Sequence, residues 1–188
     1  MIGFEPLTPA NWNALIELFG EKGACGGCWC MYWRCNAADY NRQKGIKNKN
    51  AFKKIVDRIS PGILGFVDNI PAAWCAIAPR QEYIRLANSK ILKPVDGEAV
   101  WSVSCFFIKK QYRRNHFSVP LLKAAVEFAF LNGAGHVEGY PIDTSRGPVA
   151  DTFAWTGILS TYKNAGFIEV ERRSETRPIM RLQCKFET

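Results

Sequence analysis

The chain has 188 residues, 47% of them hydrophobic and 22% charged, with a formal net charge of +8. That balance excludes a disordered chain and suits a single domain over residues 1–188 with its own core. Lys, Arg, Asn or Asp interrupts every apolar run before the ~20 residues a membrane helix needs, so no membrane partner is expected. The opening segment MIGFEPLTPANW lacks the basic and then apolar pattern of a secretory signal. With seven cysteines, an odd number, a reduced cytoplasmic location is expected. The positive charge favours an anionic ligand and by itself admits a cofactor, a nucleic acid or an acidic surface.

Residues 3 to 9 suggest a short edge strand that ends in a turn at Pro9. Thr8 or Asn11 can cap a helix over Trp12 to Phe19, where Trp12, Leu15, Ile16 and Phe19 share one face. Residues 23 to 36 are rich in Gly, Cys and Trp and read as an apolar loop packed over something else. Cys25, Cys28, Cys30 and Cys35 lie close in sequence, but they lack two separated ligand pairs and a neighbouring His, so no metal is expected there. Asn48 can start a second helix over Asn50 to Ile59, with Phe52, Ile55, Val56 and Ile59 inward, and Ser60-Pro61-Gly62 ends it. Ile63 to Val67 and Ile70 to Ala78 form a hairpin across Asp68-Asn69. Arg80 to Gly97 is a polar loop with a short helical turn.

The strongest signal follows. Ala99 to Ile108 is a long apolar strand, and Lys109, Lys110, Arg113 and Arg114 make a basic turn after it. Ser118 as N-cap and Pro120 in the first turn then open a helix over 119 to 132, with Leu121, Leu122, Ala125, Phe128 and Ala129 as its core face. A helix N-terminus beside arginines gathers unpaired N–H groups and positive potential, which makes a site for phosphate or pyrophosphate. His136 to Ile142 is the next strand, parallel to the long one because a helix crosses between them. The loop from 143 to 157 is long enough to suggest a functional role. Ile158 to Ala165 is a short helix closed by Gly166, and Phe167 to Arg172 and Ile179 to Phe186 are a final strand pair.

From about Gly62 to Phe186 the chain resembles the GNAT superfamily of acetyl-CoA-dependent N-acetyltransferases. Three features carry the resemblance. Arg113-Arg114-Asn115-His116-Phe117-Ser118 stands where the family has Gln/Arg-x-x-Gly-x-Gly/Ala. Tyr162-Lys163-Asn164-Ala165-Gly166-Phe167 is similar to the family's Tyr-x-x-x-Gly-Phe. Gly65-Phe66-Val67 and Ala72-Ala73-Trp74 fall in the hairpin that precedes the long strand. The resemblance implies an α/β fold: a mixed, mostly antiparallel central sheet flanked by helices, with a splayed parallel strand pair. Residues 1–60, with their Cys/Trp segment, fit the family's variable first helices, which commonly shape the acceptor pocket. The motif departs from the family at His116 and Ser118, where glycines would let the backbone approach a pyrophosphate.

The implied reaction is direct attack of a primary amine on the thioester of acetyl-CoA, through a tetrahedral intermediate, with CoA leaving as a thiolate. By resemblance, backbone N–H groups from about Arg114 to Ser118 hold the pyrophosphate, with Arg113 beside them. The pantetheine arm pairs with the end of the long strand at Phe106, Phe107 and Ile108, as an added strand would. Tyr162 matches the tyrosine that serves the leaving thiolate. The base is open. Glu98, Glu138 and Asp143 are candidates by position, and a water-mediated route is equally compatible. His136 reads as a strand-start residue, and Cys105 as a buried thiol rather than an acyl-carrying nucleophile. The acceptor is open too, its expected walls being Cys25 to Arg34, the 143–157 loop with Phe153 and Trp155, and the acids just named; aromatic walls would suit a small amine or an amino-acid-like group, and a single nearby acid a cationic amine.

Two other functions compete. A CoA-binding sensor without catalysis would keep the same donor site. A nucleic-acid-binding module would use Lys44, Lys47, Lys49, Lys53 and Lys54, but these fit the solvated face of an amphipathic helix, and no nucleic-acid motif is present, so nucleic acid is not the expected partner. GNAT-like proteins are often dimers, so the resemblance admits a homodimer, while the sequence itself leaves the oligomeric state open.

Overall fold

A computed structural model describes residues 1–145, 147, 149–150 and 153–184. The strands are β1 (Ile2–Pro6), β2 (Gly62–Val67), β3 (Ile70–Pro79), β4 (Val100–Ile108), β5 (His136–Gly139), β6 (Ile168–Arg172) and β7 (Pro178–Gln183). The helices are α1 (Trp12–Phe19), α2 (Ala37–Arg42), α3 (Ile46–Val56), α4 (Ile84–Ala87), α5 (Ser118–Leu131) and α6 (Leu159–Asn164). One seven-stranded sheet runs in the order β1-β2-β3-β4-β5-β7-β6. Every pairing is antiparallel except β4 with β5. This is the mixed, mostly antiparallel sheet that the sequence implies. Among the described residues no helix is long and apolar enough to cross a membrane.

The β2–β3 hairpin turns on Asp68 and Asn69, both left-handed at φ 48° and 64°. Two consecutive left-handed residues match the twist of the flanking strands, and Asn and Asp tolerate that conformation best among non-glycine residues. Side-chain alternation along β3 then divides the core. Ala73, Cys75 and Ile77 join α5, α6 and Phe106 in one cluster. Trp74 and Ala76 join α1, Phe52 and the Trp29–Met31 segment in a second. The sheet is therefore covered on both faces, and the Cys/Trp segment lies on the face opposite α5.

Several boundaries differ from the sequence expectation. The α3 helix starts at Ile46 because Asn48 is not a cap; it is buried inside the helix and donates Nδ2 to the Gly27 carbonyl at 3.1 Å, pinning the Cys/Trp loop. Helix α2, unexpected, buries none of its residues, so no apolar stripe announces it. Thr8 and Asn11 build a capping box around the single 3-10 turn before α1. In α5 the N-cap is Phe117, and Ser118 is the first helical residue; its hydroxyl meets Thr161 Oγ1 at 3.2 Å and ties α5 to α6. Val126 joins the buried face of α5, and Phe128, partly buried, packs against the same core edge-on to Trp101. The strand expected to reach Ile142 ends at Gly139, and Ile142 makes a lone parallel bridge to Ile158. The last strand ends at Gln183; Lys185 and Phe186 lie outside the described residues.

Candidate functional site

The β4 and β5 strands run together only from Val100 to Val103, opposite His136 to Gly139. Beyond that point β4 continues to Ile108 paired on one side only, to β3. Ser104 is the extra residue of a bulge opposite Ala76 and Ile77, and a bulge bends its strand. Past the bulge the backbone alternates. Lys109 N–H bonds the Ala72 carbonyl at 2.9 Å, so Phe107 turns its polar groups to β3 while Phe106 and Ile108 turn theirs to the open edge. Of the three strand-end residues named from sequence, Phe106 and Ile108 offer backbone groups there, whereas Phe107 contributes its ring to the opposite core, 5.5 Å from Phe19.

The basic turn sits at the end of that edge. Arg114 and His116 are left-handed at φ 61° and 56°. The His116 conformation is the one glycine adopts most readily, at the position where the family motif has glycine. Backbone N–H groups of Arg114, Asn115, His116 and Phe117 donate to nothing among the described residues. The first N–H groups of α5 lack helical partners by geometry. Arg114, Asn115 and His116 are exposed, Phe117 is buried against Phe4 at 5.8 Å, and Ser118 is half-buried. Arg113 Nε donates to the Ile108 carbonyl at 2.9 Å. The side chain of Arg113 thus fixes the turn onto the strand end.

Tyr162 is fully buried. It packs edge-on against Phe106 at 6.1 Å and Phe167 at 5.1 Å, and a methyl placed on Gly139 would overlap its ring. Its hydroxyl donates to the Thr156 carbonyl at 3.1 Å. Burial pushes the phenol well above its ordinary pKa, so it is protonated throughout the physiological range.

A strap formed by residues 155–157 crosses this centre. The Trp155 carbonyl accepts the Phe106 N–H at 2.6 Å, and the Thr156 carbonyl accepts from Tyr162. Gly157 follows at φ +84°, where a Cβ would stand 2.9 Å from the Tyr162 ring and 3.1 Å from Phe106. Only glycine fits both the conformation and the space. The strap also meets the Cys/Trp segment: Trp155 lies 5.2 Å from Tyr32 and 5.8 Å from Trp33, and Tyr32 lies 5.4 Å from Tyr40. These half-buried rings form a wall, and they bring together the two segments expected to face the acceptor. Phe153 is not part of it; its side chain is exposed.

Of the three carboxylates considered as bases, Glu138 and Asp143 are engaged by arginines and Glu98 is largely exposed. Glu138 is buried between Arg80 at 3.3 Å and Arg181 at 2.7 Å, and accepts from Tyr140 at 3.2 Å. Asp143 accepts from the Ser145 N–H at 3.0 Å and from Arg172 at 2.9 Å, and these bonds hold its carboxyl below the usual range. Glu98 lies beside His136, 3.8 Å from its Nδ1. The cysteines disperse: Cys25 is exposed and Cys30 buried, with Trp74 Nε1 donating to Cys30 Sγ at 3.1 Å. A bond from the Cys105 thiol lowers the pKa of Cys30, and the same bond with burial raises that of Cys105, which leaves Cys105 a poor nucleophile. Among the described residues no three His, Cys, Asp or Glu side chains converge as metal ligands.

No protein-family model and no curated protein sequence matches the chain. Solved structures do. The PaiA N-acetyltransferase of Thermoplasma acidophilum in complex with coenzyme A matches over 98% of this chain and 99% of that one, at 14% identity and a TM-score of 0.54. A GNAT-family acetyltransferase of Listeria monocytogenes matches over 97% and 95%, at 8% identity and a TM-score of 0.58. A putative GNAT acetyltransferase of Desulfovibrio desulfuricans matches over 97% and 99%, at 12% identity and a TM-score of 0.54. The chain has the GNAT acetyltransferase fold.

Sequence reasoning passed over Thr156, Gly139, Gly157 and Arg177. Each acts through a contact with a residue distant in sequence, and none stands in a local pattern that marks it.

Proposed function

We propose that this chain is an N-acetyltransferase that moves an acetyl group from acetyl-CoA to a primary amine. The observation that carries the reading is the left-handed His116, which keeps a phosphate-binding turn where the family's glycine is missing, at the end of an unpaired strand edge. The PaiA neighbour, a coenzyme A complex with the same fold, supports the same ligand class.

Acetyl-CoA supplies the acyl group and the thiolate leaving group. The N–H groups of Arg114 to Ser118 hold its pyrophosphate, and Arg113 locks the turn to β4. Phe106 and Ile108 pair with the pantetheine arm, which requires the Trp155 carbonyl to release the Phe106 N–H. Tyr162 then turns its hydroxyl from Thr156 to the sulfur. A thiol titrates near 8.5, well below this buried phenol, so Tyr162 stabilises the thiolate as a hydrogen-bond donor more than it delivers the proton outright. With Glu138 and Asp143 both bound to arginines, the amine loses its proton to water. The Cys/Trp segment of residues 1–60 supports the acceptor side through Tyr32 and Trp33.

Titration calorimetry with acetyl-CoA, followed by thiol release over a panel of amines, tests the reading. Binding with turnover supports it. Binding without turnover of any amine favours a silent CoA sensor. No acetyl-CoA binding together with salt-sensitive nucleic-acid binding would replace it with a nucleic-acid-binding module.

A further inference from the structure

Most arginines around the sheet's open end face a carboxylate: Arg34 meets Glu82, Arg80 meets Glu138, Arg172 meets Asp143, and Arg181 meets Asp96 and Glu138. Two do not. Arg85 lies over the Tyr32 ring, 4.0 Å from its centroid, and donates Nη1 to the Tyr32 carbonyl at 3.0 Å. Arg177, just before β7, donates Nη1 to Thr156 Oγ1 at 2.8 Å and to the Tyr140 carbonyl at 3.5 Å. All these acceptors are neutral, and neither guanidinium has a carboxylate partner among the described residues. Burial pulls the Arg177 pKa down, and the one group raising it is the Tyr32 hydroxyl. Desolvating a half-buried cation is costly, and among the described residues only neutral acceptors and the Tyr32 ring offset that cost.

A second observation points the same way. Trp33 Nε1 and Arg34 Nε are buried donors without acceptors. Trp33 stacks on Trp155, the residue next to Thr156. Around the strap, then, the unsatisfied groups among the described residues are donors and positive charge, while Glu82, Glu138 and Asp143 are paired with arginines.

We infer that the acetyl acceptor is an amine that also carries an anionic group, a carboxylate or a phosphate, bound by Arg177 and Arg85 while its body lies against Tyr32, Trp33 and Trp155. Guanidinium groups suit this because they offer forked donors to planar oxyanions and stack on aromatic rings. Thr156 couples the two halves of the site: its hydroxyl accepts from Arg177 and its carbonyl from Tyr162. The anion therefore binds within one residue of the transfer centre, which favours a compact acceptor of amino-acid size. The inference rests on the acetyltransferase reading. In the reaction the amine nitrogen bonds the acetyl carbon, the carbon–sulfur bond breaks, one amine proton goes to water and sulfur keeps the electron pair.

The test has two arms. In the first, calorimetry measures N-acetyl-L-phenylalanine, its uncharged amide and phenyl phosphate on the parent protein and on Arg177→Met and Arg85→Met, with thermal unfolding to check each fold. The anionic probes bind the parent on the order of ten- to a hundred-fold more tightly than the amide, and Arg177→Met erases the difference. In the second, thiol release from acetyl-CoA compares L-phenylalanine with phenethylamine, and phosphoethanolamine with ethanolamine; the pair with the larger preference tells carboxylate from phosphate. In Arg177→Met the KM for the anionic acceptor rises more than kcat falls. Equal binding of acid, phosphate and amide, or binding of none of them, overturns the inference even if acetyl-CoA binds. Anion discrimination that persists without any acetyl-CoA binding keeps the anion site and overturns the acetyltransferase reading instead.

Discussion

His116 is where the chain departs most from a glycine-based phosphate turn, yet its backbone keeps the left-handed conformation at φ 56°. A side chain held there costs roughly 1–2 kcal/mol. His116→Gly removes that strain but loosens the unfolded chain, so urea titration should show a net gain of no more than about 1 kcal/mol. His116→Pro fixes φ near −65° and deletes the N–H, and calorimetry should show acetyl-CoA affinity falling at least about tenfold. Tyr162→Phe leaves the Thr156 carbonyl buried and unpaired, at a cost of about 1–3 kcal/mol in chemical denaturation. If the hydroxyl serves the leaving thiolate, kcat should drop by about 10²–10⁴. A kcat within twofold of the parent would remove Tyr162 from the mechanism.

At the level of elements, the proposed donor site is the gap left where β5 stops at Gly139 and β4 continues. Gly139 pairs with Val103 on one side and Met180 on the other, with the Tyr162 ring against its α-carbon. Gly139→Ala should therefore cost about 1–3 kcal/mol, read by denaturant titration, and lower turnover by displacing Tyr162. Helices and hairpin were legible where local chemistry and tertiary packing agree. The α1 boundaries follow from one apolar face, and the hairpin from Asp68-Asn69 between apolar runs. The β5 strand was read too long because Tyr140 and Ile142 are apolar and buried for another reason: Tyr140 belongs to a cluster with Tyr83 and Ile179, outside the ladder. The turn and Tyr162 were legible because family motifs mark them. The strap and Arg177 were not, because their roles come from contacts across the sheet.

For the whole molecule, burial raises the pKa of four tyrosines: Tyr40 and Tyr83 to about 12, Tyr162 well above its ordinary value, and Tyr140 upward as well. Each is protonated in the folded state at pH values where the unfolded chain ionises near 10. Their contribution to stability is thus complete below about pH 10 and is lost as pH rises through the folded values. Thermal unfolding should show a midpoint insensitive to these groups up to about pH 10 and falling steeply above it. Asp143 and Glu169, both lowered by hydrogen bonds, act in the opposite range: what they add is present above the usual carboxylate values and fades as pH falls through their folded ones. Ion pairs such as Arg80–Glu138 and Arg172–Asp143 neutralise charge locally, and the net +8 is the excess of basic residues that such pairing leaves.

Acetyl-CoA is proposed to seat on the Arg114–Ser118 turn and the open edge of β4. Amide chemical-shift titration of the labelled protein with acetyl-CoA tests it most directly. Saturable shifts are expected in the N–H groups of Arg114 to Ser118, Phe106 and Ile108, with Trp155 and Thr156 moving as the strap lets go of Phe106. Saturable shifts confined to other residues, or none up to millimolar acetyl-CoA, would contradict it.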